Sequence, residues 1–263
     1  MGANDQGAVK MEISEYKNIF ENEKTHFFYV STHNLVASLI SKWVGRKELA
    51  ILDAGCGTGG LMERLSRFGQ VVGVDYNDEA VRYARKRGLT IRKASLTKLP
   101  FKNNQFDLVT CIDVIYHREV GDDVAATREI RRVLKPGGIL ILRVPANKFL
   151  LSAHDRHVHT ARRYSKGELA EKIKLAGLVV RQISYVHAPL FLISLFRVGL
   201  EKLTNRANNS SIGLVNPIIN WALTLVLDVE GRLIANELGL PFGQGLIAVA
   251  TPNRQSSPGQ KRR

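Results

Sequence analysis

At 263 residues, with 44% apolar and 24% charged residues, the chain is long enough to bury a full core and has an ordinary globular composition. A net charge of +14 points either to an anionic partner (nucleic acid, a phosphate-bearing substrate or an acidic membrane surface) or to a general solubility bias without one. Two cysteines exclude a disulfide framework, and no apolar run reaches the ~18 residues of a membrane span. With a polar N-terminus unlike a signal peptide, the expected setting is cytoplasmic, with surface attachment to a membrane left open.

Residues 1–12 read as a disordered lead. From Ile13 to about Trp43 the pattern is helical, broken near Glu21–Lys24. His26, Phe27, Phe28 and Tyr29 form an aromatic cluster, and Leu35, Val36, Leu39, Ile40 and Trp43 repeat at helical spacing.

The apolar run Leu49–Leu52 then ends at Asp53 and a glycine turn, within ILDAGCGTGG. This reads as a buried parallel strand entering a helix, which continues through Leu61, Leu65 and Phe68. Glycines at 55 and 57 let backbone approach a ligand, and the helix start offers free N–H groups. Gly55, Gly57 and Gly60 satisfy the dinucleotide fingerprint G-x-G-x-x-G, a weak signal alone. Asp53 changes the balance. A carboxylate aimed at the ligand repels a pyrophosphate and suits a cation.

Val71–Asp75 reads as the second strand, and Asp75 falls where an acid accepts bonds from ribose hydroxyls, or else caps the next helix. That helix, Asp78–Arg87, ends at Gly88; its cluster Arg82, Arg85, Lys86 and Arg87 reads as a solvated face. Thr90–Ala94 is a short third strand and Phe106–Ile112 a fourth, followed by Asp113-Val-Ile-Tyr-His117. A helix from about Asp122 to Val133, a turn over Leu134–Gly138 and a fifth strand, Ile139–Val144, complete the pattern.

With D-x-G-x-G-x-G at 53–59 and LKPGG at 134–138, residues 49–144 resemble the class I S-adenosylmethionine (SAM)-dependent methyltransferases, of the type-11/12 kind. The resemblance implies an α/β fold: a Rossmann-like doubly wound sheet of about seven strands. It implies SAM as cofactor, near Asp53, Ala54, Gly55, Cys56, Gly57 and Gly59. Asp75 and Tyr76 would meet the adenosine and Asp113 the methionine. Ser95, with Leu96 after it, stands where the family usually carries an acid against adenine. The aromatic cluster at 26–29 would cover the cofactor, and His117 would lie beside the acceptor.

After the fifth strand, His154-Asp155 and then Arg162-Arg163-Tyr164 resemble the H-D…R-R-Y signature of one branch of that family. A histidine beside a carboxylate suits an oriented general base, and paired arginines suit an anionic group. His154 and Asp155 are therefore the catalytic candidates, with His159, Arg162, Arg163 and Tyr164 expected at the acceptor. A polar loop whose arginines bond carbonyls is the competing reading, and no metal is expected.

Ser165 with Glu168 opens the helix Lys166–Ala176. Leu178–Tyr185 and Leu246–Ala250 read as the last two strands, separated by two very apolar helices, Pro189–Leu203 and Leu214–Leu238. This insertion, about 188–240, reads as a cap over the active site, a dimer face or a bilayer-lying surface, within one domain spanning 13–251. Residues 252–263 read as a basic disordered tail. The expectation is methyl transfer to O, N or C of a small-molecule or lipid-like acceptor, possibly bearing an anionic group. A homodimer and peripheral membrane contact stay open, and nucleic acid is not expected as the main partner. An RNA methyltransferase or a non-catalytic SAM-binding protein are the alternatives.

Overall fold

A computed structural model describes residues 13–45, 48–148, 161–204 and 215–253. Two helices, α1 (Ile13–Asn22) and α2 (Phe27–Trp43), precede the first strand, β1 (Leu49–Ala54). Then follow α3 (Gly60–Leu65), β2 (Gly69–Asp75), α4 (Asp78–Lys86), β3 (Ile91–Lys93), β4 (Phe106–Ile112), α5 (Asp123–Val133) and β5 (Leu134–Pro145). The second half holds α6 (Lys166–Leu175), β6 (Leu178–Val186), α7 (Ala188–Thr204), α8 (Pro217–Ala235) and β7 (Gly245–Pro252).

The seven strands form one sheet in the order β3-β2-β1-β4-β5-β7-β6. All neighbours from β3 to β5 run parallel, and β7 is antiparallel to both β5 and β6. The strand order reverses between β1 and β4, so a crevice opens beyond their C-terminal ends. That crevice is where the glycine turn lies.

Alternation along the strands assigns the two faces. Leu52, Ala54, Val109, Leu140 and Leu142 pack against Ile130 of α5 and Leu169 of α6. Ile51, Leu108, Ile141 and Ile247 face the opposite way, against Leu35 and Leu39 of α2 and Ile234 of α8. This is the doubly wound architecture that the resemblance implied.

Two boundaries differ from the sequence reading. LKPGG, expected as a turn before the fifth strand, is drawn into β5 instead. Leu134 pairs with Phe106, and after a register shift Ile139 pairs with Leu108. Gly137 takes φ +78°, so the Pro-Gly-Gly run makes a bulge inside the strand. The second insertion helix starts at Pro217, not Leu214, because the Asn216 side chain caps it by accepting from Ile218 N at 2.9 Å.

Candidate active site

The crevice holds a cavity of about 240 Å³, walled by the glycine turn, the ends of β1, β2 and β4, and the helices α1 and α2. Asp53 stands in its wall, 2% exposed, accepting from Thr110 Oγ1 at 2.7 Å. Burial, aided by the nearby acids Asp75 and Glu23, pushes its carboxyl up to about 7, with the Thr110 bond pulling the other way.

Gly55 follows at φ +82°, and a Cβ there would lie 2.3 Å from Val114 Cγ2. Only glycine fits. Gly57 donates its N–H to Asp75 Oδ2 at 2.9 Å, while Asn77 N–H reaches Asp75 Oδ1 at 2.9 Å. Asp75 thus locks the turn to the end of β2; desolvation raises its pKa and these amides oppose the rise. Asn77, not Asp75, caps α4, its side chain accepting from Glu79 N.

Of the residues expected at the cofactor, Asp53, Gly55, Cys56, Gly57, Asp75, Tyr76, Ser95, Leu96 and Asp113 line the cavity. Ala54 is fully buried at the strand end, and Gly59 takes φ +90° as the N-cap of α3. Burial keeps the Cys56 thiol protonated, its pKa raised well above the ordinary range. Asp113 adopts φ +59° and pairs with the buried Arg143 guanidinium. His117 also lines the cavity, its ring 4.3 Å from that of Tyr116.

The acceptor-side expectations divide. His154, Asp155 and His159 lie outside the described residues. Tyr164, expected at the acceptor, is a core residue: it is fully buried and its hydroxyl donates to Asp123 Oδ2 at 2.7 Å. Arg163, expected to hold an anion, is buried and donates to Ala146 O at 2.8 Å. Arg162 donates to the carbonyls of Ile115 and Gly121. Among the described residues neither arginine lines the cavity, and both donate to backbone carbonyls. Arg162 secures the 115–121 loop and Arg163 the chain just after β5.

Among the described residues, α7 and α8 likewise contribute none to the lining. α8 lies along α2 instead, where a Cβ at Gly231 would stand 3.5 Å from Leu35 Cβ. Asn34 donates to both Asp228 oxygens at 3.0 Å, and Asn220 ties the start of α8 to Thr25 O and Phe27 N, each at 2.8 Å.

Several cavity residues carry no sequence signal. Glu23 follows α1 and reaches into the turn, accepting from Thr58 Oγ1 at 2.5 Å and from Gly60 N at 3.1 Å. Tyr16 of α1 and Tyr29, Thr32 and His33 of α2 also face the cavity. Thr32 Oγ1 is buried without a hydrogen-bond partner, and burial with Arg64 nearby lowers the His33 pKa to about 3, so it stays neutral. Only the 26–29 cluster hinted at this wall, through Phe28 and Tyr29.

The electrostatic balance is lopsided. Glu23, Asp53, Asp75, Asp113 and Glu119 line the cavity, with no lysine or arginine among the described lining residues. In a chain of net charge +14, that is a site for a cation, not for a pyrophosphate. SAM, an ammonium and a sulfonium without phosphate, fits such a lining, and the glycine turn leaves room for it.

Residues 52–142 match the family profile of the methyltransferase domain. The chain is 38% identical to the ubiquinone/menaquinone biosynthesis C-methyltransferase of Pseudomonas putida, over 41% of this chain and 47% of that enzyme, so it spans about half of that relative. It is 30% identical to a ubiquinone biosynthesis O-methyltransferase of Aeromonas salmonicida, over 53% of this chain and 67% of the relative. Among solved structures it is similar in fold to Haemonchus contortus phosphoethanolamine N-methyltransferase 2 in complex with SAM. The TM-score there is 0.57 at 20% identity, over 94% of this chain and 61% of the other. Together with the glycine turn and the acidic cavity, these matches decide the family and the cofactor. The chain belongs to the class I SAM-dependent methyltransferases.

Proposed function

We propose that the chain methylates a small, amphiphilic acceptor at O, N or C, in the cytoplasm. The observation that carries this reading is the cavity lining: five carboxylates, no lysine or arginine among the described lining residues, and an aromatic wall of Phe28, Tyr29 and Tyr16. SAM, when bound, supplies a methyl group already activated on sulfur. The protein's part is therefore to bind, orient and exclude water. Asp53 and Asp113 receive the cationic methionine end, the Gly55–Gly57 backbone lies against it, and Asp75 takes the ribose hydroxyls. Tyr76, Ser95 and Leu96 flank the adenine.

His117, Phe28 and Tyr29 then stand on the acceptor side. An acceptor that carries an acidic O–H needs a base, for which His154 with Asp155 is the candidate, and His159 is a candidate for acceptor binding. Arg162 and Arg163 act indirectly, by fixing the 115–121 loop and the end of β5. The relatives named for ubiquinone biosynthesis support an apolar, lipid-like acceptor. RNA is disfavoured, because an acidic cavity repels a phosphate backbone.

Calorimetric titration with SAM and, separately, with NAD tests the reading, beside an Asp53→Ala variant. Micromolar-range SAM binding that the variant loses supports it and opens a screen of amphiphilic acceptors. NAD binding in place of SAM overturns it.

A further inference from the structure

We propose that the outer face of α7 and α8 docks on an anionic lipid bilayer. Sixteen large apolar side chains stand exposed among the described residues, and thirteen of them lie between Leu192 and Phe242. On α8, Ile218, Trp221, Leu225 and Val229 recur every three or four residues and form one stripe, with Ile218 75% and Trp221 66% exposed. Leu227, Gly231 and Ile234 take the opposite side and are buried toward α2. On α7, Phe196 is 73% exposed. An exposed apolar patch of this extent marks an interaction surface.

Charge selects the occupant. The two acids of α8 are both turned into the protein. Asp228 accepts from Asn34, and Glu230 holds the start of α7 by accepting from the backbone N–H of His187 and Ala188. The apolar stripe of α8 therefore presents neither of that helix's acids to an anionic headgroup. The chain as a whole carries +14, which draws it to such a surface and makes two copies of it repel one another. A tryptophan on an apolar stripe suits the headgroup boundary, and no described helix is long and apolar enough to cross a membrane. The helices therefore lie in the interface plane with their apolar stripe immersed.

The surface also has a link to the cavity. Asn220 binds α8 to the turn before α2, and α2 supplies Phe28 and Tyr29 to the cavity wall. Docking would act on an element that the active site shares, which suits an acceptor that resides in the bilayer.

The test is flotation of the full chain with vesicles of phosphatidylcholine and phosphatidylglycerol at ~2:1, beside vesicles of phosphatidylcholine alone. Expected are binding to the anionic vesicles that weakens with salt, a blue shift of Trp221 emission, and markedly less binding to the neutral vesicles. The double variant Ile218→Glu with Trp221→Glu should partition at least roughly tenfold less while titrating with SAM as the parent does. If that variant loses SAM binding, Phe196→Glu, on the other helix, decides by the same loss of partition. No binding to the anionic vesicles, or undiminished binding by variants that retain SAM, overturns the proposal. A dimer in sedimentation velocity that these variants dissolve, with vesicles left unbound, gives the face to a second copy instead.

Discussion

Glu23 and Arg87 form an ion pair across the glycine turn, with Arg87 Nη2 2.5 Å from Glu23 Oε1 and both side chains almost fully buried. Arg87 closes the end of α4, where the sequence pattern read as a solvated basic face, and also donates to Thr58 O at 3.0 Å and Phe20 O at 3.1 Å. One guanidinium therefore fastens the N-terminal helices to the turn that carries the cofactor site. Breaking a buried pair leaves an uncompensated charge, so Arg87→Ala should lose about 3–5 kcal/mol of stability. Urea unfolding measures the loss, and an unchanged midpoint would show that α1 does not depend on this contact.

Asp53 gives a pH dependence with a definite sign. Its folded pKa, about 7, lies above that of an unfolded aspartate. Its contribution to stability is thus complete below the ordinary carboxylate range and is lost as pH rises through about 7. Asp53→Asn should lack that decline, which runs from about pH 4 to about pH 7, in urea midpoints. A cationic ligand favours the ionised carboxylate, so SAM binding should strengthen over the same interval, by at most about tenfold per pH unit below 7, and release a proton. Calorimetry in two buffers of different ionisation enthalpy reads that proton directly.

Gly55→Ala should abolish SAM binding while leaving a folded protein. The added methyl meets Val114 side-chain carbons at 2.3 and 2.5 Å, at a φ of +82° that alanine resists. Gly57→Ala, with nothing within 4 Å, should be milder, at the cost of its φ of +53° alone. Equal loss in both would shift the weight from space to backbone strain.

Tyr164→Phe separates core from acceptor site. It removes the hydroxyl bonded to Asp123, which also holds Lys172 at 2.9 Å, and should cost about 1–3 kcal/mol of stability. Its KM for an acceptor should stay near the parent value. A raised KM with unchanged stability would return Tyr164 to the acceptor side.

His154→Ala and Asp155→Ala should each lower kcat with SAM affinity intact, provided the acceptor carries a proton to lose. Arg162→Ala should instead act through the 115–121 loop, weakening acceptor binding and loosening His117. The split between kcat and KM distinguishes the two kinds of residue.

How much of this was legible in the chain follows from what each feature depends on. Asp53, the glycine turn, Asp75 and the buried apolar strands were readable because their roles are local. An acid before the first glycine, φ values that only glycine tolerates and short unbroken apolar runs all operate within a few residues of one another. The family and the cofactor follow from them. The cavity wall was different. Glu23, Thr32 and His33 belong to a helical stretch whose pattern says only that one side is apolar, and which side meets the glycine turn is settled by packing. The same holds for Tyr164, whose place in a polar motif suggested a ligand contact until its partner proved to be Asp123, 41 residues away. The apolar helices were visible in the sequence as apolar, but their placement was not. Local patterns fix what a segment can bury; only the tertiary arrangement decides what it is buried against.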